Sequence, residues 1–114
     1  MTAPPNNPPQ RGDVWWVELD PTRGSENRKT RPVVIVSADG LNRARRTVVI
    51  VPLSTGPEPC PPLVVSTPSF DRESVAICDQ VRSINTTRLT HLAGTLSTAD
   101  LRAIESGLRA ILRL

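Results

Sequence analysis

The sequence is poor in aromatic residues, in metal-ligating side chains and in long apolar stretches. It has two tryptophans, one phenylalanine and no tyrosine. One histidine and two cysteines are too few, and too widely spaced, for a zinc site. No apolar run approaches the roughly 18 residues that span a bilayer, and no glycine-rich dinucleotide fingerprint is present. These absences argue against a membrane protein and a Rossmann-type enzyme, and we expect no cofactor and no bound metal.

Cysteine usage and the N-terminus indicate the compartment. No charged-then-apolar secretory pattern opens the chain, so we expect a cytoplasmic protein with free thiols. Cys78 lies in an apolar segment and is expected in the core, whereas Cys60 lies in a proline-rich stretch and is expected to be exposed.

Arginine dominates the basic side chains. The 114 residues include thirteen arginines and one lysine, and the net charge is +3. Guanidinium groups match phosphate geometry with two parallel hydrogen bonds, which favours a phosphate-bearing partner. A compositional bias of a GC-rich genome would give the same excess, so the charge alone leaves both interpretations open.

Length and composition predict one domain after a short tail. Hydrophobic residues make up 38 % and charged residues 22 %, as in globular proteins. Residues 1–10 contain four prolines and almost nothing to bury, which predicts a disordered tail. The remaining residues, 11–114, are expected to form a single domain.

Hydrophobic patterning predicts a mainly β fold. Strands are expected at 14–19, 33–36, 47–54, 63–65, 74–84 and 94–96, with a helical turn at 86–92. The second and third strands are too close for a crossover helix of about a dozen residues, so they should be antiparallel. The apolar phase slips between Val81 and Ile84, which predicts a one-residue β-bulge there. A half-open barrel of five to seven strands fits best.

An amphipathic helix is predicted at the C-terminus. Leu101, Ile104, Leu108 and Ile111 follow at spacings of 3, 4 and 3, which places them on one helix face. The segment 97–100 (Ser-Thr-Ala-Asp) resembles a capping box with aspartate in the usual glutamate position.

The loop before the second strand carries the first candidate functional residues. Glu26, Arg28, Lys29 and Arg31 lie within the run 24–32. Such a loop could close over a phosphate backbone or be a solvated hairpin. Arg31 stands where the loop becomes a strand, so it could stabilise charge on a reacting phosphate. It could instead form a salt bridge to a carboxylate such as Asp79.

Polar groups at other strand positions complete the candidate set. Ser54 and Thr55 end the third strand, where hydroxyls either donate to a phosphoryl oxygen or cap a turn. Asp79 follows an apolar run and is expected to be partly buried, either positioning a proton or pairing with an arginine. Trp15 and Trp16 should point to opposite faces, so that one can stack on a base while the other packs in the core. His91, expected in a polar turn, is not assigned a catalytic role.

Several motifs at matching distances resemble a known family. They are Arg11-Gly12-Asp13-Val14-Trp15-Trp16-Val17, Asp20-Pro21 with Gly24-Ser25-Glu26, Thr30-Arg31-Pro32-Val33-Val34-Ile35-Val36, Val51-Pro52-Leu53-Ser54-Thr55, and Asp79-Gln80-Val81-Arg82-Ser83-Ile84 with Arg88-Leu89. Together they resemble the MazF/PemK (Kid) toxins of type II toxin–antitoxin systems. The resemblance implies an SH3-like, CcdB-like half-open barrel with short helices.

The resemblance also implies an activity and its partners. The activity is metal-independent, sequence-selective cleavage of single-stranded mRNA, which leaves a 2′,3′-cyclic phosphate and a 5′-hydroxyl. The implied partners are single-stranded RNA, a second copy in a homodimer, and a MazE-like antitoxin that competes for the RNA groove. The resemblance implies no membrane partner.

Site residues follow from the resemblance position by position. It implies catalytic roles for Arg31, Ser54, Thr55 and Glu26, and RNA binding by Arg28, Lys29, Asp79, Gln80, Arg82 and Trp16. Ser54 stands where threonine is common, so either hydroxyl at the strand end could act. Ile77 replaces an arginine that the Kid branch is proposed to use as proton donor, so that acid–base scheme does not transfer.

The alternative function is non-enzymatic. A CcdB-like toxin traps a topoisomerase through its C-terminal helix, and this helix ends Leu112-Arg113-Leu114 without an aromatic anchor. A toxin remnant that only sequesters its antitoxin is a third possibility. Cleavage of a labelled RNA in the presence of EDTA separates the enzyme from both.

Overall fold

The computed structural model describes residues 8–18 and 30–114. This part of the chain forms, in order, β1 (Asp13–Glu18), β2 (Thr30–Ile35), α1 (Asp39–Ala44), β3 (Thr47–Thr55), β4 (Val64–Ser66), β5 (Ser74–Ile77), a first 3₁₀ turn (Cys78–Gln80), β6 (Arg82–Asn85), a second 3₁₀ turn (Thr86–Arg88), β7 (Leu89–Thr95) and α2 (Thr98–Leu112). The predicted mainly β fold with short helices and a C-terminal helix is confirmed. No helix in these residues is long and apolar enough to cross a membrane.

The strands form one antiparallel sheet that stays open. Its order is β4-β5-β3-β2-β1-β7, and β6 also pairs with β3. Val33 of β2 lies opposite Pro52 of β3, so the predicted antiparallel pairing of these two strands is confirmed. The end strands β4 and β7 do not pair with each other in the described residues, which agrees with a half-open barrel.

The irregularity that the apolar pattern predicts between Val81 and Ile84 lies earlier in the chain and involves more residues than expected. Leu53 of β3 faces Ala76 of β5, but Ile50, three residues back along β3, faces Arg82 of β6, six residues further along the partner. The partner therefore contains three extra residues, and the first 3₁₀ turn absorbs them. The predicted one-residue bulge in a continuous strand 74–84 is wrong, because a whole turn separates two strands.

Two apolar clusters cover opposite faces of the sheet. The helix-side cluster contains Val14, Val34, Val36, Val51, Leu53, Val65, Ala76, Cys78, Leu96 and Ile104. The far-side cluster contains Val17, Val33, Ile35, Val48, Ile50 and Ile84. Leu108 and Ile111 pack against the helix-side cluster, which confirms the predicted apolar face of α2. Neighbouring residues of β2 and β3 alternate between the clusters, as strand geometry requires.

The N-terminus of α2 uses a different cap from the predicted one. Ser97 Oγ accepts a hydrogen bond from the Asp100 N–H at 3.1 Å, as a capping residue should. The Asp100 carboxylate does not return to Ser97; it accepts from the Ser69 N–H at 2.8 Å. The Ser97 N–H instead donates to Ser69 Oγ at 3.0 Å. A residue from the β4–β5 turn therefore completes the cap and ties that turn to the helix.

Arg11 joins the start of β1 to α2. Its guanidinium donates to the Val36 carbonyl and forms an ion pair with Glu105. Its backbone N–H donates to the Asp39 carboxylate at 2.7 Å. Gly12, at φ +93°, permits the turn that brings these groups together. We call this group of residues the Arg11 clamp.

Two elements differ from the sequence expectations. Helix α1 is not among the elements predicted from the sequence, because six residues are too few to display a helical period. Its Asn42 is buried and donates to the Ser37 carbonyl at 3.0 Å. Strand β7 begins at Leu89 rather than 94, because pairing with β1 holds an edge strand whose own apolar pattern is weak. His91 consequently lies in a strand, and its expected place in a polar turn is wrong.

Candidate active site

A groove of about 460 Å³ opens where β2 begins and β3 ends. We call it the strand-end groove. It is lined by Trp16, Thr30, Arg31, Pro32, Leu53, Ser54, Thr55, Phe70, Asp71 and Ser74. The fold therefore brings together four of the ten residues that the sequence assigned to the site: Trp16, Arg31, Ser54 and Thr55.

Arg31 and Ser54 both border the groove, just beyond the last residues that β2 and β3 pair with each other. The β2–β3 ladder ends where Val33 pairs with Pro52. Arg31 and Ser54 each lie two residues beyond that pair, so strand alternation places both on the face of Val33 and Pro52. A guanidinium and a hydroxyl that line one groove from two strand ends can contact the same phosphate group.

The Arg31 side chain is exposed and available to a ligand. Within residues 8–18 and 30–114, Arg31 forms no ion pair, whereas Arg11 pairs with Glu105. The alternative interpretation of Arg31 as the partner of Asp79 is therefore wrong. Asp79 is exposed in the first 3₁₀ turn, not partly buried, so its carboxylate can be hydrated and needs no buried partner.

The two hydroxyls at the end of β3 have different surroundings. By strand alternation Ser54 shares the face of Arg31, and Thr55 shares the face of Leu53 and Trp16. The Ser54 hydroxyl reaches the Thr55 carbonyl only at 3.4 Å, a long and weak contact. Ser54 can thus redirect its hydrogen toward a phosphoryl oxygen at little cost.

The two tryptophans point to opposite faces, as predicted. Trp15 packs against the far-side cluster. Trp16 borders the strand-end groove, and its ring lies 6.3 Å from the His91 ring at an interplanar angle of 29°. Trp16 therefore presents an aromatic surface to the groove while its neighbour supports the core.

The second group of predicted RNA-binding residues lies outside the groove. Asp79 and Gln80 are exposed in the first 3₁₀ turn, and Arg82 is exposed at the start of β6. Strand β5 leads from Ser74 in the groove to the start of this turn at Cys78, a distance of about 13 Å at about 3.3 Å per residue. Glu26, Arg28 and Lys29 lie outside the described residues.

Phe70 and Asp71 line the groove but were missed by the sequence reasoning. They belong to the turn between β4 and β5, which is distant in sequence from both Arg31 and Ser54. The rarity of aromatic residues was the one available signal, because Phe70 is the single phenylalanine of the chain. No local pattern marks Asp71.

The cysteines behave as expected. Both are free thiols; Cys60 is exposed and Cys78 is buried. Burial, with a smaller contribution from the Asp79 carboxylate, raises the pKa of the Cys78 thiol to about 11. Cys78 is therefore an uncharged core residue near neutral pH. In the described part of the chain, no three His, Cys, Asp or Glu side chains are grouped as metal ligands.

Comparisons with known proteins agree with this geometry. The chain is 34 % identical to endoribonuclease MazF9 of Mycobacterium tuberculosis, over 92 % of this chain and 97 % of that protein. It is 33 % identical to the endoribonuclease toxin MazF of Escherichia coli K12, over 91 % and 94 %. A mycobacterial endoribonuclease solved in complex with its cognate antitoxin superposes with a TM-score of 0.78, at 27 % identity, over 93 % and 96 % of the two chains. Residues 10–112 match the model of PemK-like, MazF-like toxins of type II toxin–antitoxin systems, and the chain belongs to that family.

Proposed function

We propose that this protein is the toxin of a toxin–antitoxin pair and cleaves single-stranded RNA, principally mRNA, in the strand-end groove without a metal ion. The observation that carries the proposal is that Arg31 and Ser54 line one groove from two strand ends, and that Trp16 borders the same groove. A cation, a hydroxyl donor and an aromatic surface are the groups needed to hold a phosphate and an unstacked base.

The proposed reaction is attack of the ribose 2′-hydroxyl on the adjacent phosphorus. The new bond closes a 2′,3′-cyclic phosphate, and the bond to the 5′-oxygen breaks, which releases a 5′-hydroxyl after that oxygen takes up a proton. Negative charge builds on the non-bridging oxygens in the transition state. Arg31 stabilises that charge, and the Ser54 hydroxyl donates a hydrogen bond to one of the non-bridging oxygens.

Arg31 acts in this scheme as a fixed positive charge. A guanidinium does not release its proton in proteins, so it cannot serve as the base that removes the 2′-hydroxyl proton. We assign that step to Glu26, because a carboxylate can accept the proton and the family resemblance implies a role for it in activity. Glu26→Gln, which removes the charge and keeps the shape, should then lower kcat by about 10²–10⁴-fold.

RNA outside the cut site follows basic residues away from the groove. Gln80 and Arg82 lie outside the groove, beyond the end of β5 that is distant from Ser74, so they are placed to contact flanking nucleotides. Arg28 and Lys29 supply further phosphate contacts. Three or four such contacts predict a log–log salt dependence of RNA affinity of roughly −2 to −3, from about −0.7 per neutralised phosphate.

The remaining proposals concern partners and location. The solved mycobacterial relative is in complex with its cognate antitoxin, and we propose that a MazE-like antitoxin inhibits this chain by occupying the strand-end groove. We further propose a homodimer and a cytoplasmic location, where mRNA is available. Sedimentation analysis of the purified toxin tests the homodimer. Competition between an antitoxin peptide and RNA tests the occupation of the groove by the antitoxin.

The deciding experiment incubates a 5′-labelled single-stranded RNA with the protein in EDTA. We expect discrete fragments with cyclic phosphate ends. A digestion that EDTA abolishes would contradict the metal-free mechanism. A folded protein that leaves all RNA intact would favour the CcdB-like, topoisomerase-binding alternative.

A further inference from the structure

The turn between β4 and β5 presents Phe70 and Asp71 to the groove on a rigid support. The Thr67 hydroxyl donates to Ser74 Oγ at 2.9 Å, and both groups are buried. The Phe70 N–H donates to the Thr67 carbonyl at 3.1 Å. One end of the turn is therefore fixed to the sheet by hydrogen bonds that solvent does not reach.

The other side of the same turn is fixed to α2. The Ser69 N–H donates to the Asp100 carboxylate at 2.8 Å, and the Ser97 N–H donates to Ser69 Oγ at 3.0 Å. Phe70 and Asp71 follow directly after this anchor. Groups held by a supporting hydrogen-bond network keep the geometry that recognition requires.

Asp71 is a charge of the wrong sign for a phosphate site. Within the described residues, Arg31 and Asp71 are the two ionised side chains that border the strand-end groove, and no ion pair joins them. Arg31 suits the RNA backbone, whereas a carboxylate repels phosphate and only accepts hydrogen bonds. The hydrogen-bond donors of RNA are the ribose 2′-hydroxyl and the N–H groups on base edges, and of these only the base N–H groups carry sequence information.

One oxygen of Asp71 is already used by the fold. Its Oδ1 accepts the Glu73 N–H at 2.9 Å, which fixes the orientation of the carboxylate. The second oxygen has no hydrogen-bond partner in the described part of the chain. The side chain thus combines a fixed orientation with an acceptor available to a ligand.

Aromatic surfaces accompany this acceptor. Phe70 packs against the helix-side cluster, and by strand alternation Trp16 lies on the same side of the sheet. Unstacked RNA bases bind on aromatic faces and are then distinguished by hydrogen bonds along their edges. The groove therefore has a phosphate side, with Arg31 and Ser54, and a base side, with Trp16, Phe70 and Asp71.

We propose that Asp71 determines sequence specificity by accepting a hydrogen bond from the amino group of one base in the groove. This inference rests on the proposed function. Adenine, cytosine and guanine carry such an amino group. Uracil offers carbonyl oxygens on either side of its single N–H, and these repel a carboxylate. Wild-type protein should therefore discriminate against uracil at one position near the cut.

The test compares Asp71→Asn with the matched control Glu73→Gln. Asparagine keeps an oxygen for the Glu73 N–H, so the turn is preserved, and it places an amide N–H₂ where the second oxygen was. Glu73→Gln removes the same charge at a position two residues from Asp71. The Glu73 side chain is exposed and does not line the groove. Each protein is given a single-stranded RNA library with a randomised window, and the cut ends are sequenced. RNA retained by the immobilised proteins is sequenced in parallel, and melting curves verify folding.

We expect Asp71→Asn to raise the relative frequency of cleavage at RNA with uracil at one position by at least about tenfold over wild type. This is the scale of one lost base-edge contact. Glu73→Gln should keep the wild-type pattern. An unchanged pattern in folded Asp71→Asn, or an equal loss of cleavage at every sequence, would overturn the inference while leaving the proposed function in place. If none of the proteins cuts RNA, the proposed function fails and the inference is judged from the retained RNA. A base-specific difference between the RNA retained by Asp71→Asn and by wild type then supports the inference, and the absence of such a difference overturns it.

Discussion

Arginine has opposite fates in two regions of this molecule. In the Arg11 clamp the guanidinium donates to the Val36 carbonyl and to Glu105, so both of its terminal nitrogens are engaged in joining β1 to α2. At the strand-end groove, Arg31 is exposed and has no ion-pair partner in the described residues. The difference shows that composition alone does not assign an arginine to a ligand. What matters is whether the fold already satisfies its donors.

The largest expected effect sharpens this comparison directly. Arg31→Ala should lower RNA cleavage by about 10²–10³-fold, the usual result of removing one preorganised transition-state donor. The melting temperature should stay near wild type, because no described contact within the fold is lost. Arg43→Ala, an equal charge loss in α1 beyond the other end of β2, is the control. Cleavage by folded Arg31→Ala within threefold of wild type would show that Arg31 is not catalytic.

The next prediction separates the two hydroxyls beside the groove. Ser54→Ala should reduce kcat by at least about tenfold more than Thr55→Ala, on the scale of a lost transition-state hydrogen bond. The reason is that Ser54 has the same strand phase as Arg31, whereas Thr55 has the opposite phase. Single-turnover cleavage of one RNA measures both. The reverse ranking would mean that the reacting phosphate lies on the Trp16 side of the groove.

On the helix side, Gly107 and Gly40 form a matched pair. Alanine at 107 would bring its Cβ to 2.8 Å from the Pro62 carbonyl oxygen and 3.1 Å from Cys78 Sγ. Overpacking of this kind should lower the free energy of unfolding by about 1–3 kcal/mol. Alanine at 40 meets nothing within 4 Å and should stabilise α1 by about 0.5–1 kcal/mol. Urea unfolding of both variants tests the contrast, and stabilisation by Gly107→Ala would contradict the packing.

Substitution of Arg11 in the clamp should lower stability and leave cleavage unchanged, the opposite of what we expect for Arg31. Arg11→Ala should lower the free energy of unfolding by about 1–2 kcal/mol, because it loses a partly buried hydrogen bond and a partly exposed ion pair. Cleavage measured well below the melting temperature should remain near wild type. Arg102→Ala, an exposed arginine on the same helix, is the control. A stable but inactive Arg11→Ala would place the clamp in the RNA site.

The smallest expected effect concerns the proline-rich start of the chain. Removing residues 1–7 should change neither stability nor cleavage, because this segment has almost nothing to bury. Residue Gln10 should be kept, since its N–H donates to the Asp13 carboxylate at 2.9 Å and its carbonyl accepts from the Asp13 N–H. A clear loss of cleavage by the truncated protein would assign the tail a role in RNA binding.

Local patterns carried the parts of the fold that were predicted correctly. β-branched residues marked β1 to β3, and the 3- and 4-residue spacing marked the buried face of α2. Alternation separated Trp15 from Trp16, and the loop–strand junction picked out Arg31. Each of these inferences depends only on neighbours in sequence, which strand and helix geometry translate directly into faces.

Tertiary contacts decided the rest. The three-residue offset between β5 and β6 follows from how both strands pair with β3, and no local pattern measures it. The Ser69 hydroxyl, rather than the Asp100 carboxylate, accepts the hydrogen bond of the Ser97 N–H, because a turn distant in sequence reaches the start of the helix. Gly107, which reads as a weak point of the helix, is required by the close approach of Pro62.

The chemistry divides in the same way. The sequence by itself determined that an arginine and a hydroxyl stand at two strand ends, because residue type and strand phase are local properties. Only the tertiary structure decided that they border one groove, that Asp79, Gln80 and Arg82 lie outside the groove, and that Asp71 lies inside it. The physical reason is that a groove between strand ends is set by register and by the anchoring of a turn. Both depend on hydrogen bonds between residues far apart in the chain.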